Sequence, residues 1–147
     1  MPITALSVTD LTRYVSNLDP AKGTPTQDAE ATVFMLGALT PRQRAQVNDA
    51  TIKWGKPAES EDEVQSYEVL ISERMFLIVK YGLRGWERMQ DADGNEVPFK
   101  ATKKMLGGVS VACASDAAMN CLSTPLIAEL AAKVEELSTP KAEALKG

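Results

Sequence analysis

The sequence predicts an α+β fold that is predominantly α-helical, with four to five helices and a small β-hairpin or short antiparallel sheet. Three observations lead to this fold class. Several segments repeat apolar residues every three or four positions, which is the period of a helix. One short run combines β-branched and aromatic residues, which favours a strand, and an Asp-Gly step indicates a hairpin turn. Residues 1–147 have the length of a single domain.

The first helix is predicted over residues 7–18, because Leu11, Tyr14 and Leu18 recur at helical spacing. Residues 19–30 contain two prolines, one glycine and hardly any apolar side chain. They are therefore predicted to form an extended arm or loop. Loops of this length are commonly functional or mobile. The arm is a candidate contact with a neighbouring subunit, and a plain surface loop is the alternative.

The next two elements carry clear local signals. Residues 31–36 are the best strand candidate, because they combine β-branched and aromatic side chains. Thr40 then starts a helix, since Thr is a favoured N-cap, Pro41 suits the first helical position and Gln43 completes a capping box. This helix is predicted to continue to about Trp54.

The longest helix is predicted from Ser60 to about Tyr81. Ser60 and Glu63 form a capping box, and further acidic residues in the first turn suit the positive end of the helix dipole. Apolar residues form one stripe along this helix. Gly82 is predicted to cap its C-terminus in the left-handed conformation that glycine adopts easily.

Four shorter features complete the predicted fold. They are a short helix over residues 100–106 closed by Gly107-Gly108, an edge strand over residues 109–112, a short helix over residues 115–121 and a last helix over residues 124–137. Residues 138–147 are predicted to form a short C-terminal tail.

Composition and charge limit the classes of partner. The chain has 16 basic and 20 acidic residues and a formal charge of −4, which disfavours binding to a phosphate backbone. Lys100, Lys103 and Lys104 form a small basic cluster that is interpreted as a solvated face, so nucleic acid is not expected as a partner. The longest apolar run, residues 75–79, is far shorter than the roughly 20 residues of a membrane span. We therefore expect no membrane partner and, with no secretory signal predicted, a cytoplasmic location.

Residues for the common catalytic and metal sites are scarce. The chain has no histidine, which excludes Ser-His-Asp and Cys-His catalysis within it. Cys113 and Cys121 do not have zinc-ligand spacing and are interpreted as small buried hydrophobic residues rather than a disulfide. No glycine motif matches a phosphate-binding loop. We predict no catalytic residue, no cofactor and no metal; an enzyme that uses two carboxylates or a Ser-Lys pair is a remote alternative.

The acidic stretch that begins at Asp91 looks like part of a calcium-binding EF-hand loop, but its spacing fails. With Asp91 at loop position 1, Gly94 falls at position 4 instead of 6, and position 12 is not Glu. Asp93 and Gly94 are therefore interpreted as a reverse turn in a hairpin between residues 86–90 and 96–99.

Four aromatic side chains, together with the Asp93-Gly94 turn, are the candidate structural or interaction positions. Trp54 and Trp86 each lie beside a glycine at the end of a predicted helix. A tryptophan at such a place either fills the core where the chain reverses or anchors a partner. Phe34 in the predicted strand and Phe99 after the turn complete the set.

One part of the chain resembles a known family, through the run GLRGWE at residues 82–87 and the run DADGNEVPF at residues 91–99. The similar proteins are small proteins of tailed bacteriophages, called tail assembly chaperones or virion-associated proteins. The run TVFMLGALT at residues 32–40 is similar to a recurring start in the same group. The resemblance covers roughly residues 30–137.

The resemblance implies a non-enzymatic role in bacteriophage morphogenesis through protein–protein contacts, and it carries no catalytic residue to transfer. The leading expectation is a tail assembly chaperone-like protein, and the alternative is a structural virion component of the neck, tail or capsid. The implied partners are other phage structural or tail proteins, with a homo-oligomer as a further option. The implied location is the host cytoplasm during assembly, or the virion. A small cytoplasmic regulatory module or an enzyme is the more remote alternative.

Overall fold

A computed structural model describes residues 9–54 and 67–139. Its elements follow in the order β1 (Leu11–Tyr14), α1 (Gln27–Glu30), β2 (Val33–Gly37), α2 (Pro41–Thr51), β3 (Ile52–Trp54), β4 (Tyr67–Val69), α3 (Ile71–Gly82), β5 (Leu83–Glu87), β6 (Ala101–Leu106), β7 (Val109–Ala114), α4 (Asp116–Met119) and α5 (Thr124–Ser138). The predicted capping box of Ser60 and Glu63 and most of the predicted C-terminal tail lie outside the described residues.

The fold class is α+β, but the prediction that helices predominate is wrong. Helices hold about 39% and strands about 27% of the 119 described residues. The strands form one three-stranded and two two-stranded antiparallel sheets. The excess of predicted helix comes from the segments of β1, β3, β4 and β6. In each of them, pairing with another strand decides the conformation, and the local sequence pattern does not report that pairing.

β2 is the centre of the three-stranded sheet, with β1 on one side and β5 on the other. The strand prediction for this segment is confirmed, and most of its side chains are buried. The register places Phe34 opposite Tyr14 of β1 and opposite Trp86 of β5, so three aromatic residues form a row across the sheet. This pairing explains why residues 11–14 form a strand, where a helix over residues 7–18 was predicted.

The capping box at the start of α2 is confirmed. The backbone N–H of Gln43 donates to Thr40 Oγ1 at 3.1 Å, and the backbone N–H of Thr40 donates to Gln43 Oε1 at 2.9 Å. α2 ends at Thr51, earlier than predicted, because the next three residues pair with β4 as strand β3. β4 occupies part of the predicted long helix, so α3 begins only at Ile71.

α3 and α5 pack closely at Gly82, and this contact explains the glycine. Gly82 lies inside α3, whose C-cap is Leu83, so the prediction of a left-handed glycine cap is wrong. A Cβ atom at position 82 would lie 2.5 Å and 2.6 Å from the two γ-carbons of Val134. Because Val134 is fully buried, it has no free space to move into. Only a residue without a side chain fits between the two helices.

Polar contacts around Glu135 join α5 to α2 and α3. Arg44 on α2 approaches the Glu135 carboxylate at 3.0 Å, and Arg74 on α3 approaches it at 3.7 Å. Arg44 also donates a hydrogen bond to the Ser138 carbonyl at 3.1 Å. The last turn of α5 is therefore held against both neighbouring helices.

β6 and β7 form a two-stranded ribbon, where a short helix over residues 100–106 was predicted. The ribbon runs from the pair Ala101 and Ala114 to the pair Leu106 and Val109. Gly107-Gly108 connects the strands with φ angles of 57° and 80°, as two-residue hairpin turns require. The predicted strand over residues 109–112 is confirmed and extends to Ala114.

Serine caps begin the last two helices. The N–H of Ala118 donates to Ser115 Oγ at 3.2 Å, and the N–H of Leu126 donates to Ser123 Oγ at 3.4 Å. Both predicted helices are confirmed, as α4 and α5. The cap of α5 is Ser123, one residue before the Thr-Pro step that predicted it.

Candidate interaction surfaces

Trp86 lies in the core, where β5 meets the segment that follows it. Its side chain is 7% exposed, and its Nε1 donates a hydrogen bond to the Val97 carbonyl at 2.7 Å. The ring meets Phe99 edge to face at 5.1 Å between centroids and Phe34 at 6.5 Å. The three aromatic residues therefore attach the segment after β5 to the sheet.

The Asp93-Gly94 turn is held together by Asp91. The Asp91 Oδ1 atom accepts hydrogen bonds from the backbone N–H groups of Asp93 and Asn95, both at 2.9 Å. Gly94 has a φ of 81°. The turn is therefore where the Asp-Gly step predicts it, but the ladder beside it is reduced to one bridge between Gln90 and Glu96.

The other positions singled out in the sequence lie apart from these residues. Trp54 ends β3, where its backbone pairs with Tyr67. Both cysteines are free thiols; Cys113 is buried as predicted, whereas Cys121 is exposed and the prediction of its burial is wrong. Cys121 lies in the turn between α4 and α5, where no element covers it among the described residues. Over residues 9–54 and 67–139, no cluster of His, Cys, Asp or Glu has the arrangement of a metal site.

Glu129 on α5 accepts hydrogen bonds from the segment around the end of β1. Tyr14 donates its hydroxyl at 2.5 Å, Ser16 donates its hydroxyl at 2.9 Å, and the Asn17 backbone donates at 2.9 Å. Burial acts to raise the pKa of Glu129, but the hydrogen bonds and the charge of Lys22 outweigh it and lower the pKa below its ordinary value. Burial and the bond to Glu129 raise the pKa of Tyr14 to about 12. This network joins the edge strand to α5.

Acidic side chains lie beside Arg88 near the start of β2: Glu30 and Glu96 line one cavity with Arg88, and Asp28 lines another with Arg13, Val33 and Arg88. We name Asp28, Glu30 and Glu96 the acidic corner. All of them are exposed. Glu30 and Glu96 line a cavity of about 530 Å³. An adjoining cavity of about 320 Å³ shares Glu30 with it. The second cavity also has an apolar lining, formed by Leu18, Phe34, Met89 and Leu126.

Arg88 lies between these cavities and lines both of them. Its φ of 61° falls in the left-handed region, which residues other than glycine adopt rarely. Its Nε donates to the Ala31 carbonyl at 2.8 Å, and its own carbonyl accepts a hydrogen bond from Thr32 Oγ1 at 2.9 Å. These contacts hold the strained residue against the start of β2. Sequence analysis missed Arg88, because contacts with a distant strand set its conformation.

The ribbon of β6 and β7 presents one face to the protein and the other to solvent. Directly paired residues of an antiparallel ladder share a face. On the inner face, Leu106 and Cys113 are buried, and Lys104 lies over the ring of Tyr81 at 5.9 Å. On the outer face, Lys103 and Met105 and the residues paired with them are all exposed.

The ribbon also carries exposed apolar side chains and free backbone edges. Met105 is 63% exposed and Val109, beside the turn, is 56% exposed. Among the described residues, each strand of the ribbon is hydrogen-bonded to a neighbouring strand on one side only. Unpaired strand edges offer N–H and C=O groups to another chain. The ribbon therefore combines two features of protein-binding surfaces.

A second apolar surface lies between α3 and α5. Its groove has a volume of about 390 Å³ and is lined mainly by small and apolar residues, among them Ile71, Met75, Ala128 and Ala132. Ile71 is 60% exposed. The ion pair of Arg74 and Glu135 forms the polar part of the lining.

Comparisons with family models, with curated proteins and with solved structures found no match. None of the helices in the described ranges is long and apolar enough to cross a bilayer. The choice of function therefore depends on the residues and surfaces described above. Of the large apolar side chains on these surfaces, Met105 of the ribbon has the largest exposed fraction, 63%. The aromatic residues around Trp86 pack against one another inside the protein.

Proposed function

We propose that this chain is a non-enzymatic morphogenesis protein of a tailed bacteriophage and works through protein–protein contacts. Its resemblance to tail assembly chaperones supports this role, because the similar run over residues 82–99 is long and contains several glycine and aromatic positions. In the chaperone version, the protein holds other tail proteins in the host cytoplasm before they assemble. In the alternative version, it stays in the virion as part of the neck, tail or capsid.

The observation that carries the proposal is the exposure of the ribbon. Met105 is 63% exposed on the outer face of the ribbon, and the strands beside it have edges that no other described strand covers. An extended segment of a partner can add to such an edge through main-chain hydrogen bonds, and neighbouring side chains then supply specificity. We propose that the ribbon is the surface that contacts other phage proteins.

The proposal is tested by complementation of a phage or prophage that lacks this gene. Wild-type protein should restore the yield of infectious particles, and Met105→Ser should lower the yield at least about tenfold while the protein stays soluble. Ile71→Ser is the matched control, because Ile71 is similarly exposed but lies in the groove between α3 and α5. If Ile71→Ser lowers the yield and Met105→Ser does not, the contact surface is the groove between α3 and α5 and not the ribbon.

Mass spectrometry of purified particles separates the two versions. A chaperone should be missing from mature particles, whereas a structural component should be present at a fixed ratio to the other virion proteins. If deletion of the gene leaves the yield and the composition of the particles unchanged, the proposed morphogenesis role is wrong.

A further inference from the structure

The chain carries opposite charges at the two ends of β2. At the start of β2, Val33 pairs with Glu87, and the acidic corner surrounds this end. At the other end, Gly37 leads within a few residues to Arg42 at the start of α2. The turn of the ribbon lies beside Arg42, since a Cβ atom at Gly107 would clash with the Arg42 guanidinium. The tip of the ribbon and the acidic corner therefore lie toward opposite ends of β2.

The two ends differ in chemistry as well as in position. The ribbon carries Lys103 and Lys104, both exposed, with Arg42 beside its turn. The acidic corner carries three exposed carboxylates, each of which lines a cavity with Arg88. The Arg88 Nε atom donates to the Ala31 carbonyl. Because the chain as a whole has a formal charge of −4, the basic ribbon is a local exception. Opposite charges that cannot meet within one chain can meet between two copies.

The groups that line the cavities at the acidic corner are chemically complementary to the outer face of the ribbon. Lys103 and Met105 project from the same outer face, two residues apart, which is roughly 7 Å along a strand. The corner offers an apolar pocket lined by residues such as Met89 and Leu126 next to a cavity lined by Glu30 and Glu96. One apolar side chain and one cation from the same strand face are the groups that this pair of cavities would bind.

We propose that the ribbon of one copy docks at the acidic corner of a second copy of this chain, with Met105 in the apolar pocket and Lys103 against the carboxylates. This inference rests on the proposed use of the ribbon as a contact surface and adds a second copy of this chain to its partners. The two surfaces are different, so the contact is head to tail. Repetition of a head-to-tail contact produces a ring if the rotation closes and a filament if it does not.

The first test is sedimentation of the purified full chain at about 50 mM and about 500 mM salt, after nuclease treatment. Association should be present at low salt and weaken at high salt, because mobile ions screen exposed charges. A chain that sediments as a 15.9 kDa monomer at low salt and high concentration would overturn the inference. Association that disappears with nuclease would also overturn it, and would indicate nucleic acid as the partner instead.

The decisive test is a charge swap. Lys103→Glu reverses the charge on the outer face of the ribbon, and Glu30→Lys/Glu96→Lys reverses the charge of the corner. Each variant alone should associate about a hundredfold more weakly, because like charges then face each other. An equimolar mixture should recover association, since each variant supplies the surface that complements the other. Lys53→Glu, an exposed charge reversal on β3, is the control and should associate like wild type.

Circular dichroism should show that every variant is folded. Association that survives reversal of the ribbon, or a mixture that fails to recover it, would overturn the head-to-tail contact. If the chain is monomeric while Met105→Ser still lowers the yield of particles, the self-association is wrong but the proposed phage function stands. If the chain associates as described but deletion of its gene leaves particles unchanged, the reverse holds.

Discussion

Two neighbouring stretches of the chain, residues 82–99 and the ribbon at residues 101–114, use large side chains in opposite ways. In the first, Trp86 is 7% exposed and donates its indole N–H to Val97. In the second, the Met105 side chain is 63% exposed to solvent. The stretch with the most distinctive sequence therefore builds the fold, while a plain stretch with two lysines holds the most exposed large apolar side chain. A conspicuous motif in a sequence can report a structural need rather than a binding site.

The largest effect that would separate the two stretches is expected from Trp86→Ala. Loss of a buried tryptophan should lower the free energy of unfolding by about 3–5 kcal/mol, measured by urea denaturation. Trp86→Phe is the control, because it keeps an aromatic ring beside Phe99 but removes the hydrogen bond to the Val97 carbonyl. It should cost less than the alanine variant. A Trp86→Ala protein of normal stability that fails only in particle assembly would make Trp86 an interface residue and abolish the contrast.

Gly82→Ala tests the other end of the same stretch. The new methyl group would meet the γ-carbons of Val134 at 2.5 Å and 2.6 Å, so overpacking should lower the free energy of unfolding by about 1–3 kcal/mol. The higher helix propensity of alanine offsets only part of this loss, at most about 1 kcal/mol.

Val134→Ala supplies the control for Gly82→Ala, because it removes the atoms that clash. The double variant should be more stable than the sum of the two single effects predicts, by about 0.5–3 kcal/mol in a double-mutant cycle. Strict additivity would mean that α3 and α5 do not approach closely at Gly82.

A smaller effect is expected from Glu129→Gln, and it should depend on pH. The pKa of Glu129 is lower in the folded protein than its ordinary value of 4.5, so the folded state favours the carboxylate. The resulting stability is fully present above pH 4.5 and is lost as the pH falls through the folded-state pKa. At pH 7, Glu129→Gln should cost about 1–2 kcal/mol. At about pH 3 the difference from wild type should shrink, as urea denaturation at both pH values would measure.

Glu136→Gln is the control for this pH test, because Glu136 is exposed and makes one weak contact, to Lys133 at 3.5 Å. It should change stability by less than about 0.5 kcal/mol at either pH. A Glu129→Gln effect that is equal at both pH values would mean that the charge of the carboxylate does not matter to the network.

Tyr14 makes the stability of the same network depend on pH in the alkaline range. Its pKa is raised from 10.0 to about 12, so the folded state favours the neutral phenol. The associated stability is complete below pH 10 and is lost as the pH rises through about 12.

Local signals in the sequence were enough for elements whose causes are local. The Thr40 capping box, the strand at β2 and the serine-capped helices α4 and α5 depend on residues a few positions apart. β1, β3, β4 and β6 were not predicted, because pairing with other strands decides their conformation. β6 is the clearest case: five of its six side chains are exposed, so no alternation of apolar and polar residues marks it as a strand.

The candidate surfaces were less predictable than the fold. The sequence indicated Trp86 and the Asp93-Gly94 turn as candidate positions. The turn forms where the sequence predicts it, but the Trp86 side chain is buried in the core. The sequence analysis interpreted the lysines near residue 103 as a solvated face within a helix. Their arrangement opposite an acidic corner depends on the ribbon and on the φ of 61° at Arg88. Neither feature follows from spacing along the chain.

The smallest effect on stability, and the sharpest contrast with Trp86, is expected from Met105→Ser. A side chain that is 63% exposed leaves no cavity behind, so the free energy of unfolding should change by less than about 0.5 kcal/mol. The same variant should impair self-association and particle yield. Urea denaturation beside sedimentation would show whether the two properties separate. A stability loss as large as that of Trp86→Ala would mean that Met105 belongs to the core. The proposal that the ribbon is a contact surface would then be wrong.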